Sequence, residues 1–428
     1  MRPSLVVKHA AALKSRNPPA FLQSKLENGL TVVSQEKNGA VSELVLAFRA
    51  GSRYQSATQQ GLVHHIRNFV GRDVQSYPGL QLMWSSSAMG GNMSSFATRD
   101  VFGVRISVAR DQAPYALQIL GHVAAKPAFK PWEIEDITPT ILADLSQKTP
   151  YNIVIEDIHH AAFRSGSLSH SLYSPKSNVG TYKSEELSQF ASKHFVSGNG
   201  VLIGVNVDEE LLKNYAEGSG VVANGSVVKS RDSKFRGGDY RRFCKMNGVH
   251  IIVAGPGAAV GDIKKQAVQA VFLAHIGRVS PLKFATLPGS KTQLGLSSKL
   301  PEGVAGSGFN LMYEDTGVVG VYLIASGANA DASVRATVEA LKAPKVQELD
   351  ACKKRAINEI LFNAENNLHS AYGLATTALF TNSKQIDLIA EIQKVQSRDI
   401  EEFAKTTFER LAISAYGNCA KIPYSDEI

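Results

Sequence analysis

The chain has 428 residues, enough for two or three domains with sizeable cores, so neither disulfides nor a structural metal is needed to hold it together. Its 44% hydrophobic and 20% charged residues exclude a disordered chain, and the absence of any run of about 18 apolar residues excludes an expected membrane span. The formal charge of +8 does not argue for nucleic acid, because residues 1–16 carry four basic residues and no acid, and no basic-aromatic patch follows.

In chain order, the first 26 residues hold Arg2, Lys8, Lys14, Arg16 and Lys25, spaced by alanines, valines and leucines, with no acid before Glu27. That composition predicts a mitochondrial transit peptide over residues 1–16, and Asn17-Pro18-Pro19 closes any helix there. Residues 29–34 and 42–49 read as strands around the Asn38-Gly39 turn, and Gly61–Val70 as a helix. Trp84–Ala88 and Val101–Val108 are expected as strands. Asp111 is expected to cap a helix in which Ala113, Leu117, Leu120 and Ala124 recur at helical spacing, with Pro127 and Pro131 punctuating its end and the next start. Ser184 is placed as the cap of another helix with acids in its first turn, and Val201–Val207 as a strand. Residues 214–240, rich in Gly, Ser, Asn and basic residues, read as a solvated interdomain linker.

The first half then recurs. Phe102–Ala109 followed by a helix matches Val319–Ala325 followed by a helix, and Ser184–Phe195 matches Ser397–Phe408, at offsets of 217 and 213. Two agreeing offsets predict a duplicated domain. The fold class expected is α+β: two homologous domains, residues 17–213 and 241–428, each a mixed, largely antiparallel sheet packed with helices. Cys244, Cys352 and Cys419 are distant and odd in number, and are expected as buried reduced thiols.

The informative stretch is GLVHHIRNFVG, residues 61–71. Side chains four apart on a helix stand one above the other, so two histidines so spaced grip one zinc while a neighbouring carboxylate takes a proton from zinc-bound water. Here His64 is paired at that spacing with Asn68, a poor zinc ligand, and the carboxylate's place holds Arg67, a permanent cation that only donates. Moving the register to His65 meets Phe69. Neither metal binding nor base catalysis is expected from His64 or His65, and the adjacent His159-His160 pair is expected to be half-exposed.

With its flanks, Phe48–Arg53 before and Gly90–Asp100 after, this stretch resembles the inverted His-x-x-Glu-His motif of the insulinase and mitochondrial processing peptidase family. The family's third zinc ligand would fall at Asp144, one methylene short and on a helix containing Pro139. The resemblance covers nearly everything after the leader, including Phe163–Ser174 and Phe309–Tyr322. The ending, Tyr416–Ile428, is most similar to the non-catalytic core subunits of the mitochondrial cytochrome bc1 complex. It implies no catalytic residue, no metal and no cofactor: no haem, quinone or zinc held by this chain. It also implies a place on the matrix side of the inner membrane, with core protein 1 and other bc1 subunits as partners in a dimeric complex, and membrane association only through them. The resemblance leaves three further roles open: the α subunit of the processing peptidase, a divergent zinc endopeptidase, and a clamp for presequence peptides. The α subunit carries a contiguous glycine tract, whereas residues 287–308 here have only scattered glycines.

Overall fold

The computed structural model describes residues 21–277, 295–346, 348–381 and 387–428. The expected transit peptide, the prolines after it and Gly289 lie outside the described residues. The first half runs β1 (Phe21–Lys25), β2 (Thr31–Gln35), β3 (Val41–Phe48), α1 (Leu62–Arg67), α2 (Gly79–Ala88), β4 (Asn92–Ala97) and β5 (Phe102–Ala109). It continues through α3 (Ala113–Ala125), α4 (Pro131–Ser146), α5 (Pro150–Phe163), α6 (Ser184–His194), β6 (Gly200–Val205) and α7 (Glu209–Gly218). The second half holds β7 (Gly238–Phe243), β8 (Gly248–Gly257), α8 (Ile263–Ile276), β9 (Ala305–Met312), β10 (Gly317–Ser326) and α9 (Ala330–Lys342). It ends with α10 (Leu349–Glu365), α11 (Asn367–Phe380), α12 (Leu388–Lys394), α13 (Ser397–Thr407) and β11 (Ala412–Gly417).

The two sheets repeat one topology. The first is ordered β1-β2-β6-β3-β5-β4 and the second β7-β11-β8-β10-β9. In each, one parallel pair, β2 with β6 or β7 with β11, adjoins an otherwise antiparallel array. This is the duplicated α+β arrangement that the repeat predicted.

Both faces of both sheets are covered, which is why the central strands are apolar on alternate and on intervening residues. Leu44, Leu46, Val104 and Ile106 face Leu117 and Leu120 of α3. The other face of the same sheet, with Val45, Val201 and Ile203, is covered by Ala371, Ala375 and Leu379 of α11, a helix from the second half. Reciprocally, Val154, Ile158 and Ala161 of α5, from the first half, cover Ile252, Ala254 and Ala412 of the second sheet. Each half thus lends a helix to the other.

Several local expectations change. Trp84–Ala88 belongs to α2 and is helical, not extended. The turn before it fixes this: Pro78 is the N-cap, and the Gly79 N–H donates to the Asp73 carboxylate at 2.7 Å. Helix α1 is shorter than Gly61–Val70, because the Asn68 side chain folds back to donate to the His64 carbonyl at 2.9 Å and closes the last turn. Asp111 lies in a 3₁₀ turn and caps nothing, Gln112 preceding α3 instead. Ser184 is the first residue of α6; Lys183 precedes it, and its N–H donates to Glu186 at 2.9 Å. Residues 214–218 finish α7 and 238–240 open β7. In the connection between them Val221 and Ser233 are buried. All three cysteines are free thiols, but Cys244 is only half-buried.

Candidate functional site

Helix α1 begins at Gly61, whose φ of 95° suits glycine. A Cβ there would lie 2.5 Å from Ser174 Cα, so the glycine also admits the 173–174 segment against the helix. That approach decides the chemistry of His64. The Ser174 N–H donates to His64 Nδ1 at 3.1 Å, so the imidazole proton sits on Nε2 and is donated to Asp144 Oδ2, also at 3.1 Å. Burial, with the Arg67 cation adding to it, lowers the His64 pKa to about 4, and the ring is neutral at pH 7.

Asp144 is supplied by α4, which runs unbroken through Pro139 and packs on α1. Its carboxylate accepts from both His64 and the Arg67 guanidinium. Partial burial pushes this carboxyl up, but the bond from His64 and the Arg67 charge outweigh it and leave the group below its ordinary value. The Arg67 carbonyl is tied to β4 by the Ser95 hydroxyl at 2.7 Å. Above the His64 ring, Tyr173 stands edge-on at 5.5 Å, and the Lys148 ammonium lies 3.9 Å from the Tyr173 ring centre.

The structure brings together His64 and Arg67 of the helix with Asp144, the position the family resemblance implies for a third ligand, and turns Asn68 back along its own helix. It does not leave them fit for zinc. Both nitrogens of His64 are engaged, so no lone pair is free, and the one carboxylate is already neutralised by a fixed cation. Among the described residues no group of three or more His, Cys, Asp or Glu side chains could hold a metal ion. His65 is equally committed: Nδ1–H donates to the Gly61 carbonyl at 2.8 Å, and Nε2 accepts from the Gly180 N–H at 3.2 Å.

Sequence reasoning missed the polar seam between the halves. Arg53 is buried and reaches Asp100 at 2.7 Å in its own half and Asp315 at 3.0 Å in the other. Arg49 pairs with Glu314 at 2.9 Å, donates to the Leu379 carbonyl and stacks on Phe380, gripping the end of α11. On the facing side Arg99 meets Glu156 at 3.1 Å, and Arg242 meets Asp157 at 2.7 Å. His159 lies in this seam and is fully buried rather than half-exposed. It donates from Nδ1 to the Ile155 carbonyl and accepts the Tyr313 hydroxyl at Nε2, both at 2.6 Å. The available signal was the Arg49–Arg53 pair flanking a glycine, set against Asp100 after a turn.

Known proteins resemble this chain along most of its length. Residues 31–176 match the family described as insulinase (peptidase family M16). Cytochrome b-c1 complex subunit 2, mitochondrial, of Homo sapiens is 27% identical over 416 residues, covering 95% of this chain and 91% of that protein. The Rattus norvegicus protein of the same name is 26% identical over 419 residues, with the same coverage. Mitochondrial-processing peptidase subunit alpha-2 of Dictyostelium discoideum is 25% identical over 418 residues, covering 94% of this chain and 93% of its own length. The chain thus has an insulinase-type fold, its residues 31–176 matching peptidase family M16, and along nearly its whole length it resembles cytochrome b-c1 complex subunit 2.

Proposed function

We propose that this chain is a non-catalytic core subunit of the mitochondrial ubiquinol–cytochrome c reductase, the cytochrome bc1 complex, needed for its assembly and stability on the matrix side of the inner membrane. The observation that carries the reading is the Arg67–Asp144–His64 cluster: a fixed cation and a doubly bonded imidazole stand where a zinc peptidase needs a base and a free lone pair. The similarity to subunit 2 over 95% of the chain supports the same role. Its partners are core protein 1 and the other subunits of a dimeric complex, and it meets the membrane through them. The test is gentle detergent extraction of the tagged full chain. Recovery in equal amounts with b- and c-type haem proteins is expected. A clean monomer without them, or about one zinc per chain with chelator-sensitive proteolysis, defeats the reading.

A second reading, the substrate-holding α subunit of the processing peptidase, is favoured by the similarity to subunit alpha-2. It requires acids free to hold a basic presequence. Here Asp144, Glu156 and Asp157 each already face an arginine. Salt-sensitive, saturable binding of a presequence peptide to the isolated chain is the result that would move the assignment to this second role.

A further inference from the structure

A cavity of about 630 Å³ lies beside the first sheet, walled by the loop after β3, the loop after α5, the last turn of α6 and the connection between the halves. Its charged and titratable lining is Arg53, Tyr54, His170, Lys193, His194, Lys229 and Arg231, with no carboxylate among the lining residues. Arg53 is neutralised by Asp100 and Asp315. Lys193, Lys229 and Arg231 are exposed and make no ion pair among the described residues. Three positive charges therefore face one polar hollow without a counter-charge.

The lining also carries unused hydrogen-bonding capacity. Arg53 Nε, the Tyr54 hydroxyl and His170 Nδ1 are buried without a partner, although buried polar atoms are normally satisfied. Arg53 is 3% exposed, so this is not a solvated surface group. Unpaired cations and unsatisfied polar atoms on the residues that line one hollow are the features of a polar ligand site. A single carboxylate would leave two of the three cations uncompensated. A phosphate carries more charge on more acceptor oxygens, and the planar fork of Arg231 matches its geometry.

We propose that this cavity binds a phosphate-bearing anion, and that the bound anion clasps residues 228–231 of the inter-half connection to the end of α6. The site lies apart from His64 and does not depend on the role assigned to the chain.

The test is calorimetric titration of the full chain at physiological salt with inorganic pyrophosphate, and flotation with phosphatidylcholine–phosphatidylglycerol vesicles. Saturable one-to-one binding of pyrophosphate is expected, weakened at least about threefold by Lys193→Gln or Lys229→Gln and at least about tenfold by Lys193→Gln with Arg231→Gln. Amide exchange at residues 228–231 should slow on binding. Flotation lost in the same variants, without pyrophosphate binding, identifies a lipid headgroup as the phosphate source and supports the site. Binding to neither probe, or binding unaltered in variants whose melting temperature is unchanged, overturns it.

Discussion

At the scale of single residues, an internal ion pair, Arg67 with Asp144, stands beside His64 where the resembled family's motif would hold a metal. His64 and Asp144 meet at 3.1 Å, and the side chains that oppose zinc are those at positions 67 and 68, beside the Ser174 amide that occupies His64 Nδ1. Arg67→Glu with Asn68→His should therefore recover about one zinc per chain by elemental analysis, whereas the parent chain should retain none. A double variant that folds yet holds no zinc would show that the Ser174 amide, not the substitutions, closes the site. Protonation gives a second expectation. His64 and His194 both have pKa values lowered to about 4, first by burial, against an ordinary 6.5. For a depressed histidine the unfolded chain binds the proton more readily, so stability is full above pH 6.5 and is lost as pH falls towards 4. Each contributes on the order of 3 kcal/mol across that window. The depressed carboxyl of Asp144 acts in the same sense at still lower pH. Denaturant titrations from pH 7.5 to 4.5 should show stability falling, and His64→Gln should remove about one of the protons taken up on unfolding. An unchanged slope in that variant would mean that His64 is not held neutral.

At the scale of elements, the exchange of α5 and α11 between the halves makes each sheet depend on the other half's sequence. Ile158 is fully buried on the second sheet though it belongs to the first half. Ile158→Ala should lower stability by about 2–5 kcal/mol and speed amide exchange in β8 and β11 more than in β3 and β6. Faster exchange confined to the first sheet would contradict the exchange of helices. This dependence was not legible in the sequence, because amphipathic spacing says which face of a helix is buried and not which sheet buries it. The strands β3, β5, β6 and β10 were legible as β-branched or alternating runs, and the duplication followed from the agreeing offsets of one strand pair, β5 with β10, and one helix pair, α6 with α13. Helix α2 was misread because only Leu82 and Ser86 of its Trp84-centred apolar stretch point inward, while Leu80 and Trp84 are exposed; so short a run carries no clear period. Strand β4 was invisible because it is an edge strand with serines at its centre and no fully buried residue. Of the site, positions 64, 67 and 68 were read from helical spacing, and Asp144 followed only from the family resemblance. The Ser174 contact is made by a backbone amide 110 residues away, which no side-chain pattern announces.

At the scale of the whole molecule, the question is what makes two homologous halves one body. The shared helices supply the apolar part, and Arg53 supplies the polar part. Its side chain is fully buried, and it holds Asp100 of the first half and Asp315 of the second. Asp315 in turn accepts the Ser233 N–H at 2.6 Å, and Asp100 accepts the Glu314 N–H at 2.8 Å, so one guanidinium organises the seam and the connection that crosses it. Burial pushes the Asp100 carboxyl up even with Arg53 present, so the arginine is what makes a charge there tolerable. A buried ion pair stabilises little compared with an apolar pair, but removing one partner leaves an uncompensated charge. Arg53→Met keeps the volume and removes the cation. It should cost about 3–5 kcal/mol, whereas Arg53→Met with Asp100→Asn and Asp315→Asn should regain much of that loss, since no buried charge is then stranded. Calorimetry distinguishes a further consequence. With Arg53 in place the halves should melt in one transition, and in the single variant the seam should open first and the endotherm broaden or split. If Arg53→Met melts as sharply and as high as the parent, the two halves are joined by their exchanged helices alone and the ionic seam is incidental to their union.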